Sequence, residues 1–310
     1  MSAGEQPAGH NPARWRICAV IVTFHPDDRF YGRALEIARQ ADGVVIVDNG
    51  SAPDTVSRLA QFASGAGVHV IQNPSNLGIA TALNQGVEYA LAHGYTHAIL
   101  FDQDTDPAGH MISTIRQIAG RRADIQRVAV IGVNLVDAAT TKPWYRFPAG
   151  QEATEIKTVI TSGSLISLQA AARLGRFRDD FFIDHVDEEY CLRAGSHGYK
   201  VLITHEPLAT HALGAPKFLR ILWRTFGTSN HSATRRYYMM RNHIILAKMY
   251  AFREPAWVVR TLYVRFKAFL LLLVLDDDRW TKLRMMSRGL RDGLAGRTGE
   301  LSASRRPHER

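Results

Sequence analysis

The sequence has little cysteine: its 310 residues include only Cys18 and Cys191. Both lie inside apolar segments and far apart, which argues against a disulfide-stapled secreted scaffold and favours reduced thiols in a cytosolic protein. Residues 1–16 contain no apolar run of the kind found in secretory signals, so we expect no signal peptide. We therefore expect a cytoplasmic protein with an ordinary packed core.

Several ligand-binding patterns are also missing. No glycine-rich loop has the spacing of a dinucleotide fingerprint or a P-loop. The segment "FDQDTDP" (101–107) is not an EF-hand, because Pro107 stands where glycine is required and Ser113 where the closing glutamate belongs. It is not a phosphatase nucleophile loop either, since Thr105 comes one place too early. What is left is an acidic turn after a strand, or a strand-end pair of carboxylates that binds a divalent metal on a nucleotide diphosphate.

The net charge of +9 is distributed unevenly. Residues 217–310 contain 20 basic and 7 acidic residues, a net charge of +13, whereas the part before them has 18 basic and 22 acidic residues and is mildly acidic. The basic residues alternate with long apolar and aromatic runs, which disfavours nucleic acid as a partner and favours an anionic membrane surface.

The apolar run 256–275 is about as long as a membrane span, but three cations interrupt it, and each is costly at bilayer depth. We expect an amphipathic helix in the membrane interface, with Arg260 and Arg265 towards the headgroups and Trp257, Tyr263 and Phe266 in the apolar layer. The alternative is a helix packed against the rest of the protein.

Strands and helices alternate along the first half of the chain. Apolar, β-branched runs such as "ICAVIVTF" and "VVIVDNGS" predict buried strands, and the segments between them have helical spacing. This pattern predicts an α/β fold with a mostly parallel sheet covered by helices on both faces. We predict three regions: a disordered lead-in (1–14), an α/β domain (15–216), and a C-terminal helical, basic appendage (217–310) that starts with a helix at 217–226.

Polar residues follow the predicted strands at their carboxyl ends. Asp48 follows one strand, and Asp102 and Asp104 follow another. Ligands of parallel α/β sheets bind at this edge, so these carboxylates are expected to share one crevice. Taken singly, Asp48 is more typical of a turn or helix cap than of a binding site, and a lone histidine such as His211 is more often a packed or capping residue than a ligand.

Eight motifs, in order, resemble glycosyltransferase family 2, which has the GT-A fold, and look most like its bacterial rhamnosyltransferases. They are "VIVTFHP", "VVIVDNGS", "NLGIATALNQG", "FDQDTDP", "SGSLIS", "FFIDHVDEEYCLRAGSHGYKV", "THALG" and "RRYYMMRNHI". The resemblance spans about residues 17–245. It implies an inverting transferase that moves a sugar from a nucleotide-sugar donor, here dTDP-β-L-rhamnose, to a hydroxyl group of an acceptor.

The resemblance also implies roles for single residues. The metal, Mg²⁺ or Mn²⁺, would be held by Asp102, Asp104 and His211, and Asp102 would also contact the donor. Asp187 would be the general base. The remaining donor-binding residues would be Thr23 and Asp48 at the nucleobase, Asn76, Gly78 and Asn84 around the base and ribose, and Arg241 near the diphosphate.

The sequence departs from the family pattern at two places. The usual Gln-x-x-Arg-Trp element is absent around Arg241, and the usual Glu-Asp pair reads Val186–Asp187. The basic appendage suggests a polyprenyl-diphosphate-linked glycan as acceptor and a location on the inner face of the cytoplasmic membrane. Two other functions stay open: a nucleotidyltransferase, for which "TFHPDDRFYGR" lacks the expected glycine-rich basic loop, and a catalytically silent membrane-surface binding or assembly protein.

Overall fold

The computed structural model describes residues 12–211, 217–221 and 224–302. Contacts between residues divide them into two compact units. The first contains residues 12–179 and 190–211, and the second contains residues 180–189 together with the described residues from 217 onward. The grouping of 180–189 with the C-terminal part was not indicated by the sequence.

The first unit is built around a nine-stranded sheet with the strand order β3-β2-β1-β4-β8-β6-β9-β5, and β7 pairs with β9. The strands are β1 (Ile17–Thr23), β2 (Gly43–Asp48), β3 (His69–Gln72), β4 (His97–Asp102), β5 (Asp106–Pro107), β6 (Val128–Asp137), β7 (Ala153–Glu155), β8 (Ser164–Ser167) and β9 (Lys200–His211). The helices are α1 (Arg29–Gln40), α2 (Pro53–Ala66), α3 (Ile79–Ala92), α4 (Met111–Gly120), α5 (Leu168–Leu174) and α6 (Val186–Ser196), of which the first turn of α6 belongs to the second unit.

The predicted α/β class is confirmed, and the sheet is parallel where the sequence alternates regularly. β1, β2, β3 and β4 pair in parallel. Beyond β4 the sheet is mixed, because β8 runs antiparallel to both β4 and β6. The short strand β8 returns after an irregular segment rather than after a crossover helix, which is why regular alternation could not predict its direction.

Side chains of β1 point alternately to two helical layers, as the pleat of a strand requires. Ile17 and Ile21 belong to a buried cluster that includes residues of α1 and α4. Val20 points to the opposite face, where it meets α3 at Gly86; a Cβ atom at Gly86 would overlap the side chain of Val20. Burial on both faces explains the continuous apolar sequence of this strand.

The lead-in prediction covered residues 1–14, of which 1–11 lie outside the described residues. Pro12–Arg14 form a short 3₁₀ helix. Arg116 of α4 donates a hydrogen bond to the carbonyl of Pro12 at 3.0 Å and one to Trp15 at 2.7 Å. Within the predicted lead-in, the carbonyl group of Pro12 is therefore bonded to a side chain of α4.

The second unit contains a hairpin and three helices. They are β10 (Lys217–Ile221), β11 (Arg224–Thr228), α7 (Ala233–Tyr250), α8 (Pro255–Leu275) and α9 (Arg279–Leu294). The helix predicted at 217–226 is wrong: Lys217 pairs with Thr228 and Ile221 with Arg224 in an antiparallel ladder. Short apolar runs fit both periods, and β-branched and aromatic residues in this one favour a strand.

Packing of α7 on α9 in the second unit depends on two glycines. A Cβ atom at Gly289 would lie 2.5 Å from the carbonyl oxygen of Tyr237, and one at Gly293 would lie 2.7 Å from that of Arg241. The missing side chains let the two helix backbones approach closely. Beside this contact, Asp276 is buried and accepts hydrogen bonds from the charged groups of Arg236 at 2.9 Å and Lys282 at 3.1 Å. Burial raises the pKa of Asp276, but hydrogen bonds from Thr228, Lys282 and Arg236 outweigh it and hold the pKa below its usual range.

Candidate active site

Three potential metal ligands meet at the carboxyl edge of the sheet in the first unit. Asp102 is the last residue of β4, Asp104 follows in the adjoining turn, and His211 is the last residue of β9. One ligand atom from each of the three lies within 4.8 Å of the others. The pairing of β5 with β9, with Asp106 opposite Thr210, brings the turn after β4 to the end of β9.

The donor set of this cluster fits a divalent cation. Two carboxylates and one imidazole are ligands that Mn²⁺ and Mg²⁺ sites accept. Burial raises the pKa of Asp104, and the nearby carboxylate of Asp102 raises it further, while His211 and Arg33 act in the opposite direction. Because crowding of Asp102 and Asp104 disfavours two negative charges, a bound cation would relieve their repulsion.

Two hydroxyl groups connect these ligands. Ser162 Oγ donates to Asp102 Oδ2 at 2.8 Å and lies 2.7 Å from Thr105 Oγ1. Thr105 Oγ1 in turn lies 3.2 Å from Nδ1 of His211, which is also 3.4 Å from Asp104 Oδ1. Sequence reasoning did not single out Ser162 or give Thr105 a role at the site, since only the fold brings them together.

Arg33 of α1 holds the acidic turn in place. Its Nε donates to Asp106 at 2.7 Å, and its Nη1 donates to Asp27 at 3.2 Å and to the carbonyl oxygen of Gln103 at 3.3 Å. Asp106, the third carboxylate of the motif, is thereby bound to a guanidinium group and is not part of the metal cluster. Arg33 was missed from the sequence because an arginine on a helix gives no local signal of such a contact.

Thr23 and Asp48 lie at the ends of the adjacent strands β1 and β2, in register with each other. Thr23 donates its hydroxyl to Oε1 of Gln103 at 2.9 Å, and the amide of Phe24 donates to the same oxygen at 2.7 Å. The buried carboxylate of Asp48 accepts the amide of Ser51 at 3.1 Å. Asp48 therefore forms the turn that the sequence also allowed, at the edge of the sheet where Asp102 lies.

Asn76 and Gly78 shape the start of α3. Oδ1 of Asn76 accepts hydrogen bonds from the amide of Gly78 at 2.9 Å and from Nδ2 of Asn49 at 3.0 Å. Gly78 caps the helix with φ +88°, a conformation that favours glycine. The backbone at this helix start is therefore fixed before any ligand arrives.

Asn84 has a different position from the one that its predicted role suggests. It is buried on α3, and its side chain bonds the backbone of Phe177 twice, donating to the carbonyl at 2.9 Å and accepting from the amide at 2.8 Å. Contact with a ribose would require breaking both bonds. The structure thus gives Asn84 a role in holding the segment before the second unit.

Asp187, the predicted base, lies in the first turn of α6, within the second unit. Its Oδ1 accepts the backbone amide of Glu188 at 2.9 Å. A carboxylate at a helix N-terminus is stabilised in its charged form. Glu188 is bonded to Nδ1 of His185; burial raises the pKa of Glu188, but His185 and Arg265 lower it more, to about 2.

Arg241 on α7 is almost completely buried in the second unit. Its guanidinium donates to the carbonyl oxygens of Phe181, at 2.9 Å, and Gly299, and to Oδ1 of Asn242 at 2.8 Å. These bonds occupy the guanidinium with backbone and neighbouring groups. The predicted contact with a diphosphate would have to compete with them.

Helix α8 presents an apolar stripe to solvent. Val259, Tyr263, Phe266, Leu270 and Val274 recur every three or four residues, and each is between 46% and 67% exposed. Within the described parts of the chain, none of the helices combines the length and apolar character needed to cross a bilayer.

Two residues of α8 depart from the predicted interfacial arrangement. Arg265 was expected to face headgroups, but its Nη2 lies 3.4 Å from Nε2 of His185. Trp257 was expected in the apolar membrane layer, but it is buried. Both side chains are turned inward by contacts that the linear sequence does not contain.

The fold is that of GT-A glycosyltransferases. GalNAc-T7, solved with UDP, GalNAc and Mn²⁺, superposes with a TM-score of 0.58 at 12% identity, over 79% of this chain and 49% of its own. The mannosyltransferase PcManGT from Pyrobaculum calidifontis, solved with GDP-Man and Mn²⁺, gives 0.54 at 15% identity, over 95% of this chain and 79% of its own. The chain spans less than half of the first of these proteins, and 43% of S. aureus TarS.

The sequence comparisons point to one family. The family model described as glycosyl transferase family 2 matches residues 19–172, just under half of the chain. The dTDP-rhamnosyl transferase RfbF of Shigella flexneri is 29% identical over 246 residues, which cover 75% of this chain and 80% of RfbF. The matched family segment includes Asp102, Asp104 and their hydroxyl partners, and both comparisons support glycosyl transfer as the class of reaction.

Proposed function

We propose that the protein transfers L-rhamnose from dTDP-β-L-rhamnose to a hydroxyl group of an acceptor glycan, with inversion at the anomeric carbon. The observation that carries this proposal is the cluster of Asp102, Asp104 and His211 at the carboxyl edge of a sheet in a family 2 segment. The similarity to a dTDP-rhamnosyl transferase supports the choice of donor.

In this proposal Asp102, Asp104 and His211 hold Mg²⁺ or Mn²⁺, which supplies positive charge against the departing nucleoside diphosphate. Thr23, Asp48, Asn76 and Gly78 border the nucleoside. The hydrogen bonds that already fix Asp48 and Asn76 keep this edge of the sheet preorganised, so that little conformational entropy is lost on donor binding.

Asp187 takes the proton of the acceptor hydroxyl as that oxygen attacks. The amide of Glu188 fixes one carboxylate oxygen of Asp187, which orients the group for proton transfer. Attack from the face opposite the diphosphate converts the β-linked donor into an α-L-rhamnoside. Arg241 and Asn84, whose side chains are bonded within the protein, support the fold in this scheme rather than the donor.

The test uses the purified full chain with a panel of nucleotide sugars, with and without Mn²⁺. We expect dTDP-β-L-rhamnose to be hydrolysed slowly without acceptor and only when metal is present, with release of dTDP. The variant Asp104→Asn should abolish this hydrolysis. The matched control Asp106→Asn should retain it, because Asp106 bonds Arg33 outside the cluster. A silent scaffold would hydrolyse none of the donors, and a nucleotidyltransferase would release pyrophosphate from a nucleoside triphosphate.

We also propose that the second unit binds the inner face of an anionic membrane, where a polyprenyl-diphosphate-linked acceptor would be presented. The apolar stripe of α8 has the spacing of one helix face, and the exposed Arg260 and Lys267 lie beside it. Apolar burial would supply the salt-insensitive share of the binding energy. The basic residues of this region would add about 1 kcal/mol each close to an anionic surface.

Vesicle sedimentation tests this second proposal. The protein should bind vesicles that contain anionic phospholipid, and high salt should release only part of it. Phe266→Glu in the stripe should reduce binding strongly. Leu91→Glu is a matched control, because Leu91 is also exposed but lies on α3 of the first unit. Absence of binding at low salt, or equal binding of Phe266→Glu and the wild type, would contradict the proposal.

A further inference from the structure

Thr105 and Ser162 form a continuous line of hydrogen bonds between two of the potential metal ligands, Asp102 and His211. We propose that these two hydroxyl groups are positioning residues that hold His211 in the tautomer with a proton on Nδ1. This inference rests on the proposed metal site. It concerns two residues that would not contact the metal but would fix the protonation of His211, one of the proposed ligands.

The direction of the hydrogen bonds follows from what each group can donate. A carboxylate only accepts, so the single hydrogen of Ser162 must point to Asp102 Oδ2. Ser162 can then only accept from Thr105, whose single hydrogen is thereby used. Thr105 is left with lone pairs towards His211, and the 3.2 Å contact is a hydrogen bond only when Nδ1 carries the hydrogen.

The proton on Nδ1 decides which ring nitrogen is left to bind a cation. In a neutral imidazole with a proton on Nδ1, the lone pair is on Nε2, and a cation held by His211 in this tautomer is bound through Nε2.

Burial protects the hydrogen bonds of Thr105 and Ser162 from water. Thr105 and Ser162 are each 1% exposed, so water does not compete for their hydrogen atoms. A partner that orients a metal-binding histidine typically changes metal affinity by about 10- to 100-fold. We therefore expect loss of the Thr105 hydroxyl to weaken Mn²⁺ binding by about this factor, although Thr105 supplies no atom to the metal.

The experiment compares four variants of the full chain. Thr105→Val removes the hydroxyl at nearly constant volume, Thr105→Ser retains it, and Ser162→Ala breaks the line one step earlier. Thr204→Val is the matched control. Thr204 is fully buried on β9 and also makes two hydrogen bonds, to Asn134 and Glu206, but it is not bonded to the cluster.

Two quantities are measured: the affinity for Mn²⁺ by titration, and the tautomer of His211 in the metal-free protein from the ¹⁵N shifts of its ring, assigned by the signal lost in His211→Gln. We expect Nδ1 to be protonated in the wild type, Thr105→Val to lose both the tautomer preference and the affinity, and Thr105→Ser to restore both. Ser162→Ala should show an intermediate effect, and Thr204→Val should match the wild type.

The proposal is overturned if Thr105→Val binds Mn²⁺ as tightly as the wild type, or if the metal-free wild type carries the proton on Nε2. If the wild type itself binds no Mn²⁺, the metal site of the proposed function fails, while the ¹⁵N shifts still decide whether the hydroxyl groups fix the ring. If Thr105→Val lost Mn²⁺ affinity only because it is less stable, Thr204→Val, which also loses a buried hydroxyl group, would show a similar fall in melting temperature and a similar loss of affinity.

Discussion

Replacement of Asp104 by asparagine should separate the stability of the protein from its ability to bind metal. Without metal, burial and the adjacent Asp102 raise the pKa of Asp104 in the folded protein. A carboxyl group with a raised folded pKa lowers stability above its unfolded pKa, and this cost disappears as the pH falls. Removal of the charge at neutral pH should therefore leave the free energy of unfolding equal or slightly higher, within about 1 kcal/mol.

With metal, the two proteins should differ. A ligand at 100 times its Kd stabilises the folded state by about 2.7 kcal/mol. If loss of the Asp104 oxygen weakens binding by about 100-fold, the same metal concentration stabilises the variant by only about 0.4 kcal/mol. At roughly 2–4 °C per kcal/mol for a unit of the size of the first one, which contains the site, Mn²⁺ should raise the melting temperature of the wild type by roughly 5–10 °C and that of Asp104→Asn by about 1 °C.

Thermal unfolding at several Mn²⁺ concentrations measures both effects in one series. Asp106→Asn serves as the control, since its carboxylate is 57% exposed and bonded to Arg33. It should respond to Mn²⁺ as the wild type does. An equal metal-dependent shift in Asp104→Asn and the wild type would show that Asp104 is not a ligand and would remove the main support for the proposed site.

Three further variants test other parts of the structure. Asp187→Asn should lower turnover at least 100-fold, the scale of a lost general base, with unchanged donor affinity; near-normal turnover would move the base to another carboxylate. Gly293→Leu should lower the free energy of unfolding by about 1–3 kcal/mol in a denaturant titration, because the new side chain would meet the backbone carbonyl of Arg241. Gly195→Ala should leave the free energy of unfolding nearly unchanged, because a Cβ atom at Gly195 would meet no other atom within 4 Å. Asn84→Leu should cost about 1–3 kcal/mol through its two lost hydrogen bonds, and an unchanged melting temperature would contradict the structural role.

The sequence was most informative where local physics decides the outcome. Continuous apolar runs located the buried strands such as Ile17–Thr23 and His97–Asp102. The polar residues that follow them, Asp48 and Asp102, could be assigned to one edge of the sheet from the parallel pattern alone. His211 was joined to this edge only through the family resemblance, since no local signal distinguished it from the other twelve histidines.

Other residues could not be predicted, because their partners are distant in sequence. Asn84 bonds a backbone 93 positions away, and the guanidinium of Arg241 reaches Phe181, 60 positions away. The side chain of Arg265 points toward His185, which is 80 positions away, and could not be predicted for the same reason. The hairpin at 217–228 was missed for a different reason, since backbone pairing rather than side-chain period determined its structure.

The pairing of β5 with β9 has a consequence for how this site can change over evolution. Asp106 and Thr210 are held opposite each other by the sheet, so the spacing between the ligands on either side does not depend on the length of the chain between them. Insertions in the exposed turn around residues 148–151 can therefore accumulate without moving Asp104 relative to His211. Such loops can change in sequence and length while the arrangement of Asp102, Asp104 and His211 at the sheet edge is kept.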